Sequence, residues 1–357
     1  MKASLFLSSA LLAASLTGCS LGSTPPPEAT SPYVDLPART STFAGLAYDP
    51  EAFFYLLATF PAPPDQAPPP ALYEGVPYLY YSSIPEATVR ILDPDGNETA
   101  STKSSPTGSW QVLGIPSGAK EYQAKADPPA GGAHPGAGYM GPGAPPPPVS
   151  VPAAIYYPTT TLRPIIPLDT LCQFQVATMV GDAGALSALA KLLSKTVAEI
   201  VSKNNVALMW AFAPSFDLDL FTSPINGISA QASRGTLYAI NWAPPGMGPP
   251  GQSAMGYFAV QVKSSSTLSD LGYYAVLLPT GDTGGPVTVT FKDTITGGMG
   301  PFPRPLGVPP IVAQLRPGVS FGRVFAFPAG GPGGPDPTAD TVAFPPTNSQ
   351  CYPQGGP

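Results

Sequence analysis

The fold class is decided by the stretch Ala87-Thr-Val-Arg-Ile-Leu-Asp-Pro-Asp-Gly-Asn97, in which polar and apolar residues alternate and then stop at a turn. Alternation with period two separates the side chains onto the two faces of a β-strand, and Asp-Gly is a turn dipeptide. Similar strand patterns occur at residues 42–48, 109–113 and 121–126. Several short strands separated by turn signals predict a mainly β domain.

The second half of the chain repeats the order of these features. Residues 107–118 contain a glycine, an aromatic strand and a Pro-x-Gly corner, and residues 271–281 contain the same three features in the same order. The strand pattern 287–293 then occupies the position that residues 122–127 occupy in the first half. The shared order favours a duplicated sandwich. Shared β-turn chemistry in a chain rich in glycine and proline is the alternative.

The first half resembles the carboxypeptidase regulatory-like domain. The residues that carry this resemblance are the Asp95-Gly96 turn, Thr107-Gly108-Ser-Trp110, Ile115-Pro116-Ser-Gly118 and the strand of Tyr122. The resemblance implies a small transthyretin-like β-sandwich over residues 41–169. The long proline-rich inserts depart from the pattern of that family.

One amphipathic helix is predicted between the two sandwiches, at about residues 182–204. Apolar residues recur there at three- and four-residue spacing, and Asp182 is the expected N-cap. The apolar stripe consists of Leu186, Leu189, Leu193, Val197 and Ile200. We expect this stripe to pack across a sheet; a surface helix for a membrane or a partner is the alternative.

The N-terminus has the pattern of an export signal. Met1-Lys2 precedes an apolar run too short to span a bilayer, and the run ends in Leu16-Thr-Gly-Cys19. This ending resembles the lipobox of bacterial lipoproteins, which implies acylation of Cys19 and removal of residues 1–18. Ser20, rather than aspartate, follows the cysteine, and this favours the outer membrane if the host has one. An ordinary secretory signal with an unlipidated Cys19 is the alternative.

If Cys19 carries lipid, Cys172 and Cys351 remain as an even pair. In an oxidising compartment such a pair predicts a disulfide bond. Two separate buried thiols are the alternative.

These observations define the predicted organisation, which is mainly β: two small transthyretin-like β-sandwiches with one amphipathic helix between them and long Pro/Gly-rich loops. The predicted segments are a lipoprotein signal peptide (1–18), a flexible tether (19–40), the first sandwich (41–169), a connecting segment with the helix (170–229), the second sandwich (230–328) and a Pro/Gly-rich tail that contains Cys351 (329–357).

The composition and motifs argue against catalysis. The net charge is −6 and no basic run is present, so nucleic acid is not an expected partner. The single histidine, His134, lies in a Pro/Gly run that cannot hold a catalytic base rigidly. Residues 93–98 resemble the start of a calcium loop, and Asp217 with Asp219 resembles a glycosidase pair; a hairpin turn and the solvated side of a strand are the simpler interpretations. We predict no catalytic residue, cofactor or metal site. The triplet Asn97-Glu98-Thr99 fits a eukaryotic glycosylation acceptor, which by itself assigns nothing to a bacterial lipoprotein.

The candidates for ligand contact are tyrosines that cluster before the Ala87 strand and one tyrosine in a proline-rich loop, because aromatic side chains offer stiff, amphipathic contact area. They are Tyr78, Tyr80, Tyr81 and Tyr139; packing on the protein's own sandwich is the alternative. The sequence predicts a non-catalytic cell-envelope lipoprotein, held to the membrane by its lipid anchor, that acts as a structural or binding module for an envelope protein or a polysaccharide. An accessory subunit of an envelope transport or secretion complex is the alternative, and a secreted hydrolase of unknown type is a weaker one.

Overall fold

A computed structural model describes most of the chain from residue 40 to residue 344. The described residues are 40–59, 82–117, 121–133, 154–167, 172–212, 225–242, 258–261, 267–295, 304–328 and 342–344. All of them belong to one compact unit, residues 38–357.

The protein is mainly β, as predicted, and is built from packed sheets. The strands are β1 (Thr40–Tyr48), β2 (Thr88–Leu92), β3 (Glu98–Lys103), β4 (Ser109–Pro116), β5 (Gln123–Asp127), β6 (Tyr156–Tyr157), β7 (Thr159–Thr161), β8 (Cys172–Thr178), β9 (Val180–Gly181), β10 (Asn204–Phe212), β11 (Ile228–Ala232), β12 (Thr236–Trp242), β13 (Phe258–Gln261), β14 (Thr267–Ser269), β15 (Tyr273–Pro279), β16 (Val287–Asp293), β17 (Leu306–Gly307), β18 (Ile311–Ala313), β19 (Gly318–Phe325), β20 (Phe327–Pro328) and β21 (Val342–Phe344). The described helices are α1 (Pro50–Thr59), α2 (Ala185–Leu193) and α3 (Val197–Lys203). No helix in the described segments has the length and apolar character needed to cross a membrane.

A mixed nine-stranded sheet runs through both predicted sandwiches, in the order β13-β12-β15-β10-β19-β7-β5-β2-β3. Its pairs are antiparallel except β10–β19 and β19–β7, which are parallel. Strands from the first predicted sandwich therefore continue into strands of the connecting segment and of the second sandwich without a break in the backbone hydrogen bonding. The boundaries predicted at residues 169 and 229 do not coincide with a sheet boundary.

The part of the nine-stranded sheet that contains β5 and β2 is covered on one face by a four-stranded sheet, β21-β8-β1-β4. Buried side chains of β1 and β4, including Phe43 and Trp110, meet Val89 and Ile91 of β2 between these layers. The alternation along β2 explains this arrangement, because Arg90 points to the opposite face, where it pairs with Asp127 of β5 at 2.6 Å.

The part of the nine-stranded sheet that contains β10 and β15 is covered on both faces. Leu208 and Trp210 of β10 belong to one apolar cluster with α2 and α3, while Ala207 and Met209 belong to another with β11, β16 and β18. Strands buried on both faces have continuous apolar sequences rather than alternating ones. This accounts for the uninterrupted apolar stretch Val206–Phe212 of β10 and for the similar sequence of β15.

Two glycines of the repeated motif share a left-handed backbone. Gly108 has φ +82° and Gly272 has φ +62°, and each immediately precedes an aromatic strand. A Cβ atom on Gly272 would lie 2.6 Å from the carbonyl oxygen of Ile225. Both positions therefore require glycine, for backbone conformation as well as for space.

The single helix predicted at about residues 182–204 is two helices. The first ends at Ser194, whose φ is +52°. The second begins with a capping box, in which the Thr196 side chain accepts from the Glu199 N–H and the Glu199 carboxylate accepts from the Thr196 N–H. The predicted apolar stripe nevertheless packs on the sheet, because the stripe residues of both helices belong to the same apolar cluster.

Candidate functional site

The predicted ligand-contact and lipidation residues lie outside the described residues. This applies to Cys19, Tyr78, Tyr80, Tyr81, Tyr139 and Cys351, and also to His134, Asp217 and Asp219. Cys172 lies on β8, where its backbone is paired with Phe344 of β21. The pairing brings the C-terminal strand to the position of Cys172, and the predicted disulfide stays a prediction.

The turn that resembled a calcium loop is a hairpin turn between β2 and β3. The Asp93 carboxylate accepts hydrogen bonds from the Asn97 backbone N–H, at 2.8 Å, and from the Asn97 side-chain amide, at 3.2 Å. The Arg316 guanidinium donates to the carbonyl oxygen of Pro94 at 3.0 Å. The Asp93 carboxylate and the Pro94 carbonyl are therefore already hydrogen-bonded, and the described residues contain no group of three or more His, Cys, Asp or Glu side chains that could hold a metal ion.

The main polar cluster in the described core is a pair of acidic residues at the start of α1. Asp49 is 5% exposed and Glu51 is 1% exposed. Asp49 is the N-cap of α1: its Oδ1 accepts from the N–H groups of Glu51 and Ala52, at 2.8 and 3.0 Å. Its Oδ2 accepts from the Tyr156 hydroxyl at 2.7 Å. One carboxylate therefore connects the start of α1 to β6.

Glu51 caps a different helix. Its Oε1 accepts from the Ala185 N–H of α2 at 2.9 Å and from the Tyr273 hydroxyl of β15 at 2.7 Å. A Cβ atom on Gly184 would lie 1.7 Å from Glu51 Oε2, so the absence of a side chain at Gly184 makes room for the carboxyl group. Glu51 thus joins α1, α2 and β15 at one buried point.

This arrangement corrects the predicted N-cap of the connecting helix. Asp182 does not cap α2, because its Oδ1 accepts from the Ile155 N–H at 2.7 Å and its own N–H donates to the Ile155 carbonyl at 3.0 Å. The N-cap residue Gly184 has no side chain to offer, and Glu51 supplies the acceptor from 134 residues away.

Helix α1 was missed in the sequence, although its start carries a recognisable signal. Asp49-Pro50-Glu51 places an N-cap residue before a proline at the first helical position and an acid in the first turn. The apolar residues that follow lack a clear polar face, because α1 is largely buried over its first half. A helix buried on most sides does not show amphipathic periodicity.

Burial controls the protonation of the acidic pair. Burial raises the pKa of Asp49 to about 6, against the lowering effect of its hydrogen bonds from Ala52, Tyr156 and Glu51. Burial and the nearby charge of Asp49 raise the pKa of Glu51 to about 8. Burial also raises the pKa of the Tyr273 hydroxyl well above 10. At neutral pH the coupled pair therefore retains a proton, and the tyrosine hydroxyls remain hydrogen-bond donors.

An aromatic cluster encloses the pair on the side of the sheet. Tyr273 stacks on Trp210 with ring centroids 4.2 Å apart and an interplanar angle of 10°. Phe54 of α1 packs edge-on against Trp210 at 5.1 Å. Arg323 of β19 is buried beside them, with its guanidinium 5.5 Å from the Phe325 ring centre.

The adjoining cavity is too small for a ligand larger than water. It is bounded by residues of β1, α1, β10 and β19 and has a volume of about 10 Å³, which is room for about one water molecule. A glycosidase needs two carboxyl groups in contact with a sugar. Asp49 and Glu51 are closed from solvent and hydrogen-bonded to helix ends, so their chemistry is structural.

Comparison with known proteins assigns no family. No family model matches the chain, and no curated protein matches it. Among solved structures, the TIE protein of Bacillus anthracis is 11% identical over 81% of this chain, with a TM-score of 0.20; the match spans 34% of that protein. The shaft pilin SpaA of Lactobacillus rhamnosus GG is 9% identical over 82% of this chain and 98% of its own, with a TM-score of 0.19. A streptococcal ancillary pilin is 11% identical over 81% of this chain and 69% of its own, with a TM-score of 0.19. TM-scores this low support no argument about the function of this protein.

Proposed function

We propose that this protein is a non-catalytic lipoprotein of the cell envelope that acts as a structural or binding module for an envelope protein or a polysaccharide. The observation that carries the proposal is the structural role of the buried acidic pair, Asp49 and Glu51. In the described core, the two carboxyl groups best suited to acid–base chemistry accept hydrogen bonds from the first N–H groups of α1 and α2. They are closed from solvent, so they serve the rigidity of the body.

The continuous nine-stranded sheet supports a scaffold role. Strands buried on both faces, such as β10 and β15, open only when a large part of the fold opens with them. The acidic pair ties α1 and α2 to this sheet through Tyr273. A rigid body of this kind can hold loops in fixed positions, and binding residues are concentrated in loops carried by rigid scaffolds.

The membrane attachment is proposed from the N-terminal motif. Acyl chains on Cys19 would hold the mature chain to a bilayer, since two or more chains anchor firmly. Residues 20–40 would then act as the tether between the bilayer and the sandwich body. The proposed location is the cell envelope, with the outer membrane favoured in a host that has one.

The proposed contact surface is the tyrosine-rich segment before β2, together with the proline-rich segment that contains Tyr139. Tyr78, Tyr80 and Tyr81 are separated by few residues, and tyrosine combines a large apolar ring with a hydroxyl at little cost in side-chain entropy. Both proteins and polysaccharides are recognised by such surfaces.

A pull-down from membranes of the native host tests the proposal. The acylated protein serves as bait, a Cys19→Ser variant serves as the unanchored control, and a Tyr78→Ser/Tyr80→Ser/Tyr81→Ser variant tests the contact surface. We expect the acylated protein to retain envelope protein or polysaccharide and the tyrosine variant to lose it. Protease treatment of the retained material separates the two kinds of partner.

Three results would contradict the proposal. One is an intact mass of native protein with an unmodified amino end. Another is equal retention by the tyrosine variant, which would remove the proposed surface. The third is hydrolysis of a generic ester or glycoside panel by the purified protein, abolished by a single carboxyl substitution, which would establish an enzyme.

A further inference from the structure

We propose that Asn97 is an acceptor for N-linked glycan transfer from a polyprenyl-diphosphate-linked oligosaccharide. The inference rests on the proposed export of this chain, because such transfer takes place on the outer side of the cytoplasmic membrane. It goes beyond the proposed function, since it assigns a modification site in a part of the chain that the binding proposal does not use.

The position of Asn97 meets the first structural requirement, which is access. Asn97 lies at the tip of the β2–β3 hairpin, and Asp95, Asn97, Glu98 and Thr99 are all exposed. The side-chain amide of Asn97 makes one hydrogen bond, a long one of 3.2 Å to the exposed Asp93 carboxylate. A hydrogen bond in contact with water is readily exchanged, so an enzyme can turn the amide outward.

The local backbone also leaves the hydroxyl residue of the triplet accessible. In the β2–β3 ladder Ile91 pairs with Ala100 and Leu92 pairs with Glu98, so Thr99 is the extra residue of a bulge. A bulged residue is outside the regular ladder. Its side chain and backbone can therefore contact a modifying enzyme without unpairing the strand.

The opposite side of the turn is covered, which directs any attached group away from the body. Arg316 donates to the Pro94 carbonyl and to Gln123 Oε1, both at 3.0 Å. A Cβ atom on Gly96 would lie 2.1 Å from the Arg316 guanidinium. The guanidinium thus supports the turn from the protein side, while the side that carries the triplet faces solvent.

The sequence around the site is specific. Asn97-Glu98-Thr99 is the only Asn-x-Ser/Thr triplet in the chain, and it lies in a surface turn where acceptor triplets belong. An acidic residue, Asp95, lies two positions before the asparagine, and its side chain is exposed. The proposal includes contact between this carboxylate and the transferase.

The transfer step is a simple substitution. The Asn97 Nδ2 attacks the anomeric carbon of the lipid-linked oligosaccharide and a C–N bond forms. The bond between that carbon and the diphosphate oxygen breaks, and the polyprenyl diphosphate leaves with the electron pair. One amide proton passes to a base of the transferase, and no oxidant or reductant is required.

The test uses the purified full chain in detergent, a purified bacterial oligosaccharyltransferase and its polyprenyl-diphosphate-linked oligosaccharide. A synthetic acceptor peptide in the same reaction reports that the enzyme is active. The variants are Asn97→Gln, Asp95→Asn and Thr99→Val, with Thr102→Val as a matched control on the same strand. Intact mass and glycopeptide mapping of the β2–β3 hairpin are the measurements.

We expect one glycan per chain, attached at Asn97, in the unaltered protein and in the Thr102→Val control. The Asn97→Gln variant should show none, and Asp95→Asn and Thr99→Val should lower the extent of transfer at least tenfold. The proposal is overturned if the folded chain stays unmodified while the peptide is glycosylated, or if Asp95→Asn has no effect. Because the test with purified components bypasses export, either result leaves the lipoprotein proposal to be judged by the state of Cys19 alone.

Discussion

Replacing Glu51 by glutamine should alter the pH dependence of stability. Burial and the charge of Asp49 raise the pKa of Glu51 from 4.5 to about 8. The folded state therefore holds this proton more tightly than the unfolded state does. Stability from this group is fully present below pH 4.5 and is lost as the pH rises to 8. A pKa difference of this size corresponds to about 5 kcal/mol.

The Glu51→Gln variant keeps the shape of the protonated carboxyl group and cannot ionise. Its amide oxygen can still accept from the Ala185 N–H and the Tyr273 hydroxyl. At pH 5 we expect its free energy of unfolding to lie within about 1 kcal/mol of the unaltered protein. At pH 8.5 we expect the variant to be more stable by about 3 to 5 kcal/mol, because a buried negative charge is absent. Urea unfolding at pH 5, 7 and 8.5, followed by tryptophan fluorescence, measures both values, since Trp210 stacks on Tyr273.

An exposed carboxyl group provides the matched control. Glu121 is exposed, and Glu121→Gln should leave the pH profile of the unaltered protein in place. The reasoning fails if the unfolding free energy of the unaltered protein is constant between pH 5 and 8.5. It also fails if Glu51→Gln lowers stability equally at both ends of that range, which would mean that an ionised carboxylate is needed.

Four further outcomes can be checked directly. Gly272→Ala should lower the unfolding free energy by about 3 kcal/mol. Gly114 has φ +74° but no atom within 4 Å of an added Cβ, so Gly114→Ala should lower it by about 1 kcal/mol. Urea titration of both variants separates backbone strain from steric crowding. Non-reducing peptide mapping should find Cys172 linked to Cys351, and alkylation of both thiols after denaturation would contradict the link. Removing this bridge with a Cys351→Ser substitution should lower the thermal midpoint, because a closed loop of this length contributes about 4–5 kcal/mol. Thr196→Ala should cost about 1 kcal/mol by urea titration through loss of the capping box, and an unchanged midpoint would argue against that cap.

Local pattern was sufficient for six of the described strands. Strands β1, β2, β4, β5, β15 and β16 cover segments that the sequence pattern predicts. The Asp-Gly turn after β2 and the two motif glycines follow from φ values that few other residues adopt. These features were predictable because period, turn chemistry and glycine conformation depend on neighbours a few residues apart.

The break between α2 and α3 is harder to predict from local sequence pattern. The apolar stripe continues through both helices, so periodicity alone favours one helix. The Thr196-x-x-Glu199 capping box is visible in the sequence, and it could have located the start of α3. The stripe alone predicts one helix, because Thr196 and Glu199 are also compatible with the surface of a continuous helix.

The acidic pair shows what sequence pattern does not contain. Glu51 caps a helix that begins 134 residues later, and nothing near either residue encodes the other as its partner. Likewise, strand composition predicts that β10 and β15 are buried, but not that one sheet passes from the first half of the chain into the second. Periodicity and turn chemistry are short-range and are written along the chain. Pairings between distant segments, and the pKa values that follow from them, depend on which surfaces exclude water together, and only the folded packing decides that.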